Sequence, residues 1–424
     1  MAKFKIYFWA LIGILVINAC SETMLEKGLQ DQQQEQKVND FTFVGNEKAI
    51  ELVKNFQLNS TSSITLRSSS IEEDFKVISI DSNTYLLEED VKITSTGSSK
   101  NSNTIDDLSF KLYTIKFQKG GNIGFSIVSP DERLNFVYAY TENGALSDTT
   151  FNVGLAITIE SIPEIAKQQL QSYYETRGVI STRSYSYINV GPIVNTTWNQ
   201  SAPYNWYSPD LGCGTGILPP TGCTITALSQ AMAFLNLPCF SKNGYYNFIT
   251  MTATPTPIQL LDQSMVALFM RDIGMLVNAN YSCASTGAWA YNIIPALTSC
   301  GYKYDDKRLT DIDYNFTASM IVNYSTPLIT TAFRTLGDGA GHTWLICGVR
   351  GDFEPYTSNG KNLLRAQQLS LTSYYCNWGW GGNSNGWYVC GNVNAPTQNH
   401  PELPFDHSKY QFFIFHPNRV PVGY

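Results

Sequence analysis

Nucleophilic thiol chemistry needs a cysteine that ionises near neutral pH, and such thiolates are favoured at the amino end of a helix, beside a group able to carry positive charge. Of the nine cysteines in the chain, Cys223 has that setting. It follows Pro219-Pro220-Thr221-Gly222 and opens a run of helical spacing, Ile225, Leu228, Met232 and Leu235, that stops before Pro238. Its sulfur is therefore predicted at the positive end of a helix dipole. Cys347, Cys376 and Cys390 lie in strand-like runs and read as small buried hydrophobes. Cys213, Cys239, Cys283 and Cys300 stay open between free and paired. Of the four histidines, His400, His407 and His416 fall in the last 25 residues among proline and polar loop signals. His342 differs: it follows the flexible Gly337-Asp338-Gly339-Ala340-Gly341 and opens the apolar run Trp344-Leu345-Ile346, which sets it at the mouth of a strand facing a cleft. Asn377 heads Asn377-Trp378-Gly379-Trp380-Gly381-Gly382 after another strand pattern. An amide there would orient the imidazole, and Trp378 would shield that hydrogen bond from water, completing the logic of a triad. There is no HExxH, no CxxC and no clustered histidine pair, so neither metal nor cofactor is expected.

The elements that must position these groups fall into two parts. With 43% hydrophobic and 15% charged residues the chain can bury a sizeable core, and a net charge of −7 argues against nucleic-acid binding. Residues 1–183 hold 40 charged side chains and residues 184–424 only 23, which points to segments with different tasks. In the first part Ala49, Ile50, Leu52, Val53 and Phe56 recur at helical spacing. Phe110 to Phe117 and Ile123 to Val128 read as two strands joined at Gly120-Gly121, and Ile162 to Tyr173 reads as a short helix. The Ser, Thr and Asn residues crowding 94–104 read as a solvent loop. In the second part helices are predicted over 223–235, 259–277 and 289–297, followed by strands over 328–333, 342–349, 369–377, 386–390 and 410–416. Helices first and an antiparallel sheet afterwards is an α+β order. The boundary lies in the weakly patterned connection carrying Arg177 and Arg183.

The amino terminus speaks to compartment. Lys3 and Lys5, the apolar stretch Ile6 to Ile17 and then Ala19-Cys20 read as a signal peptide. Residues 16–20 resemble a bacterial lipobox, apart from Asn18, which implies cleavage before Cys20 and lipidation of its thiol. The polar tract ending Gln32-Gln33-Gln34-Glu35-Gln36 suits a tether. The expected organisation is thus a signal peptide over 1–19, lipidated Cys20 and tether over 20–36, a first domain over 37–183 and a second over 184–424.

Taken together, four motifs in order resemble the streptopain family of papain-like bacterial cysteine proteases: residues 198–205 (Trp-Asn-Gln-Ser-Ala-Pro-Tyr-Asn), 221–227 (Thr-Gly-Cys-Thr-Ile-Thr-Ala), Gly341-His342-Thr343 and residues 377–382. Residues 124–131 resemble a strand and turn of the family propeptide. The resemblance implies a papain-like catalytic domain behind an α+β propeptide. It also implies Cys223 as nucleophile, His342 as general base, Gln200 as oxyanion donor beside the Cys223 amide, Asn377 and Trp378 in the orienting and shielding places, and Ser285-Thr286-Gly287-Ala288 as a substrate-pocket loop. Residues 353–368 look longer than the family's turn between strands. The implied activity is a cysteine endopeptidase made as a zymogen, acting on proteins with a preference for hydrophobic side chains next to the scissile residue. Its own propeptide would inhibit it until cut after Arg183 or Arg177, by itself or by a separate Arg-specific protease. Cutting there would leave the lipid anchor behind and free the mature domain from the cell envelope. Two other readings are a papain-like peptidoglycan amidase and an inactive surface-binding homologue.

Overall fold

The computed structural model describes residues 45–57, 75–87, 109–175, 185–236, 240–241, 244–308, 314–333, 341–358, 361–366, 371–389 and 410–415. Cys20, Arg177, Arg183, the 94–104 stretch, Cys239, Cys390 and three of the histidines lie outside them, as do residues 337–340.

In the first part, helix α1 (45–57) buries Ala49 and Val53 as its spacing requires. Strands β1 (Lys76–Leu86), β2 (Ser109–Lys119), β3 (Asn122–Ser129) and β4 (Phe136–Thr141) form an antiparallel meander. The β2–β3 turn is the expected Gly120-Gly121, both with positive φ, which a side chain would resist. Helix α2 (Val153–Glu175) is longer than its 162–173 pattern. Asn152 caps its first turn by accepting the Leu155 amide at 3.0 Å, and Leu155, Ala156 and Ile157 are buried before the recognised repeat begins. Pro163 sits inside this helix, so a residue that reads as a break is carried by packing on both sides of it.

In the second part, β5 (Ser186–Val190) leads to helix α3 (Cys223–Leu235), which opens on Cys223 and whose apolar residues are almost all buried. Burying each of Ile225, Leu228, Met232 and Leu235 contributes about 1.5–3 kcal/mol. Asn236 ends the helix in the left-handed conformation. Helices α4 (Leu260–Leu276), α5 (Ala290–Ser299) and α6 (Tyr314–Tyr324) follow, with β6 (Lys303–Arg308) between the last two. Then come β7 (Leu328–Phe333), β8 (Gly341–Ser358), β9 (Lys361–Ala366), β10 (Ser373–Asn377), β11 (Gly386–Val389) and β12 (Tyr410–Phe415). Residues 353–368, expected as a long turn, are mostly strand: β8 runs on to Ser358 and folds back as β9, with Phe353 opposite Ala366. The α+β order stands, with a helical layer packed against an antiparallel sheet.

Among the described residues twelve strands make one sheet, in the order β1-β2-β3-β4-β11-β10-β8-β7-β12-β6, with β9 and β5 also paired to β8. The two parts therefore share a sheet. Their junction is β4 against β11, where Tyr140 lies opposite Trp387 and Ala139 opposite Tyr388. One core cluster follows that continuity, combining Tyr138, Leu155 and Ile162 of the first part with Trp344, Trp378 and Tyr388 of the second. A separate cluster packs α3, α4 and α5 on the other face of the sheet, against Ile329, Leu345 and Cys347.

Candidate active site

The Cys223 wall of the cleft is built by a glycine. Gly222 precedes α3 at φ 92°, and a Cβ there would collide with the Thr286 carbonyl, so only glycine lets the chain turn into the helix against that strand. Cys223 is consequently the first helical residue, half-buried and unpaired. Burial pushes its thiol up, but the charge of His342, hydrogen bonding to that histidine and hydrogen bonds from Thr343 outweigh it and bring the thiol down to about 7. The Thr343 amide donates to Sγ at 3.4 Å. Cys347 is the contrast: buried without such partners, its thiol is pushed up to about 12, and like Cys376 it is a small core residue.

The histidine wall is β8. His342, 4% exposed, faces the backbone carbonyl of Trp378, 2.8 Å from its Nε2. A carbonyl oxygen only accepts, so Nε2 carries the proton and Nδ1 of the neutral ring is left free to act as a base. Indole rings surround the imidazole: Trp344 and Trp380 lie nearly parallel to it with centroids 6.1 Å away, and Trp378 lies at 6.4 Å, tilted by 37°. Three tryptophans, where the sequence had suggested one, keep water from the hydrogen bond.

Asn377 does not orient the imidazole. Its Nδ2 donates to the Thr196 carbonyl at 2.7 Å and to Gln230 Oε1 at 3.2 Å, and its Oδ1 accepts the Gly379 amide at 3.2 Å. The amide is committed on every side, and the Trp378 carbonyl takes the orienting place instead. The competing partner is Gln230, which also accepts from the Trp198 amide and from Thr196 Oγ1. Gln230 stands two helical turns beyond Cys223 and is the one side-chain amide within α3. That lone buried amide was the signal that sequence reasoning passed over.

Gln200 lines the same cleft as Cys223 and His342. It is buried, and its Nε2 has no hydrogen-bond partner among the described residues, while its backbone carbonyl accepts the Thr221 amide at 2.9 Å. A buried donor left unpaired costs about 1–3 kcal/mol, a cost that persists where the donor serves a bound group. The cleft has a volume of about 850 Å³. Ser285, Thr286, Gly287 and Ala288 line it too; the Thr286 hydroxyl is tied to the Pro220 carbonyl at 2.6 Å, and a Cβ on Gly287 would meet only open space. Behind this loop a Cys213–Cys283 disulfide joins it to the segment preceding α3, and Cys300 is disulfide-bonded as well.

The remaining wall comes from the first part of the chain, which the motifs did not foretell. Phe151 and Val153 line the cleft, with Phe151 edge-on to Trp380 at 5.5 Å. Gly154 lies so close to the histidine that a Cβ there would sit 2.9 Å from His342 Cδ2 and 2.9 Å from the Trp378 ring. Just upstream, Asp148 Oδ2 accepts from Asn383 Nδ2 and from Ser384 Oγ, both at 2.7 Å. Thr141 Oγ1 donates to the Asn385 carbonyl. The loop carrying Trp378 to Gly382 is thus gripped by residues 141–154.

Residues 198–388 match the model of the Peptidase C10 family. Streptopain of Streptococcus pyogenes serotype M28 is 23% identical over 313 residues, covering 65% of this chain and 73% of its own length. Streptopain of serotype M1 is 22% identical over 316 residues, with the same coverage. Among solved structures, a fragment of Prevotella intermedia prointerpain A, carrying a cysteine-to-alanine substitution, aligns with a TM-score of 0.48 at 18% identity, covering 70% of this chain and 94% of that one.

Proposed function

From the match of residues 198–388 to the peptidase C10 family, we propose that the chain is a cysteine endopeptidase of that family made as a latent precursor. The observation that carries this reading is the pairing of a thiol brought down to about 7 with a buried imidazole across one cleft. The Cys223 thiolate attacks the scissile carbonyl carbon, and the carbonyl electrons move onto oxygen. Gln200 Nε2 and the Cys223 amide at the start of α3 receive that oxyanion, where a preorganised donor is worth about 10²–10³ in rate. The protonated His342 gives its proton to the leaving amine as the carbon–nitrogen bond breaks. In the second half His342 takes a proton from water, hydroxide displaces the thiolate, and the carboxylic acid leaves. Its Nε2–H on the Trp378 carbonyl holds the ring through both halves.

Residues 37–183 act as an inhibitory propeptide in this reading, supported by Phe151 and Val153 in the cleft and by Gly154 against His342. Cleavage after Arg183 or Arg177 removes them, and Cys20 anchors the precursor by its lipid. The Cys213–Cys283 disulfide beside the cleft and a disulfide-bonded Cys300 elsewhere suit an exported protein. The precursor then sits in the cell envelope, and cutting leaves the lipid on the propeptide and releases the catalytic domain. A peptide-bond hydrolase and a muropeptide amidase differ in substrate alone, so the test is to incubate the processed chain and its Cys223→Ala variant with casein and with muropeptides. Casein cleavage by the first and not by the second is expected; muropeptide cleavage with casein left intact would overturn the endopeptidase reading. The anchor is tested separately: labelled fatty acid should enter the wild-type precursor and not the Cys20→Ser variant.

A further inference from the structure

The residue after the nucleophile and the residue after the histidine are both threonines, and they touch. Thr224 Oγ1 lies 3.0 Å from Thr343 Oγ1, which lies 2.8 Å from Thr331 Oγ1. Thr224 belongs to α3, Thr343 to β8 directly beside the cleft, and Thr331 is the register partner of Thr343 on β7. A hydroxyl has one proton to give and can accept two, so with the Thr343 side chain hydrogen-bonded to the Cys223 sulfur, Thr343 Oγ1 accepts from Thr224 and from Thr331, and the chain of three is satisfied as it stands. Thr224 and Thr343 are buried, where such bonds hold best. The arrangement bridges the helical layer and the sheet at the point where Sγ meets the Thr343 amide.

We propose that Thr343 is a positioning residue for the Cys223 thiolate, held by a three-threonine strap, Thr224–Thr343–Thr331, that fixes the gap between the two walls of the cleft. A cysteine at a helix start and a histidine on a separate strand keep their distance only if something ties the elements together. The strap does so one residue away from each. It also aims the Thr343 amide at sulfur, and hydrogen bonding from Thr343 is among the influences that lower the thiol. Among the described residues lining the cleft, His342 is the one titratable group facing Cys223; α3 has no charged residue, and neither does the 283–288 loop. A change in thiol ionisation on altering Thr343 therefore reports on this geometry and on the imidazole it faces.

The inference rests on the thiol-peptidase reading, yet its test does not need peptide hydrolysis. The rate of iodoacetamide modification of Cys223, located by peptide mapping in the full-length chain, is followed from about pH 5 to about pH 10 in wild type, Thr343→Ala, Thr343→Ser and Thr331→Val. Loss of the strap should shift the rise by about one pH unit upward, making Thr343→Ala about tenfold slower near pH 6 with the curves converging at high pH. Thr343→Ser should follow wild type. Thr331→Val, which leaves Thr343 on the sulfur but frees its far end, should fall between, about threefold slower. A Thr343→Ala curve superimposed on wild type, whatever happens to its melting temperature, would overturn the proposal. Wild-type casein cleavage failing while the shifts appear as described would overturn the peptidase reading and leave the strap standing.

Discussion

The two walls of the cleft are made on different terms. The Cys223 wall is assembled from neighbours in sequence: Gly222 sets the turn, α3 supplies its amino end, and Gln200 waits with an unpaired donor. The His342 wall draws on distant stretches: the Trp378 carbonyl, Trp344 and Trp380, and then Gly154 and Phe151 from the first part of the chain. A nucleophile can be built locally, because a helix end is a local object. A base held dry at a fixed angle needs a shell, and here part of that shell is the segment expected to be removed. Maturation would then change the histidine's surroundings far more than the cysteine's.

Substitutions can break or sharpen that contrast. Removing either reacting group has the largest effect: Cys223→Ala and His342→Ala should each lower casein cleavage by about 10⁴-fold or more, and the double variant should be little worse than either, because the two act as a unit. Additive losses in a kcat comparison would mean that they do not. On the nucleophile wall, Gln200→Ala should lower kcat by about 10²-fold with KM little changed, as expected for a donor used only when negative charge develops. On the histidine wall, Gly154→Leu overpacks a contact with no room, at a cost of about 1–3 kcal/mol. In an Arg177/Arg183 double variant that cannot be cut there, it should raise residual casein cleavage by about tenfold, whereas the same substitution should leave a domain already freed of its propeptide untouched. Asn377→Ala should act on stability: it strands the Thr196 carbonyl and the Gly379 amide and should lower the stability of the folded chain by about 1–3 kcal/mol in denaturant titration. Cys223 alkylation should keep its pH profile in that variant, since the Trp378 carbonyl, and not this amide, holds the imidazole.

The smallest effect is on pH and stability. The Cys223 thiol stands at about 7 in the folded chain against an ordinary 9.0, so the folded state binds the proton more weakly than the unfolded state. That contribution is complete above about pH 9 and fades as the pH falls through about 7. The melting temperature of wild type should therefore drop slightly more than that of Cys223→Ala between about pH 9 and about pH 6. Parallel curves would mean that the thiol is not lowered.

How much of this was legible in the sequence follows from what each feature depends on. Cys223 at a helix start and His342 at a strand mouth could be read because Gly222, Pro238 and the runs beside them are local signals. The Gly120-Gly121 hairpin could be read for the same reason. The role given to Asn377 could not survive, because it turned on whether Gln230, 147 residues away in the chain, would claim the amide first. Strand β9 did have a signal, the hairpin dipeptide Asn359-Gly360, but the weak alternation on either side of it left residues 353–368 reading as a long turn. The share of the His342 wall that comes from the first part of the chain was hidden because it depends on Tyr140 pairing with Trp387 across the sheet, and no periodicity within either segment encodes that register.

The most direct test of the central claim is to titrate the processed chain with a thiol-alkylating reagent, following incorporation by peptide mapping and casein cleavage in the same samples. One label per chain on Cys223, with activity falling in proportion to it, is the predicted result. Casein cleavage persisting when Cys223 is fully labelled, or activity lost while Cys223 remains unmodified, would contradict a reaction carried by that thiolate.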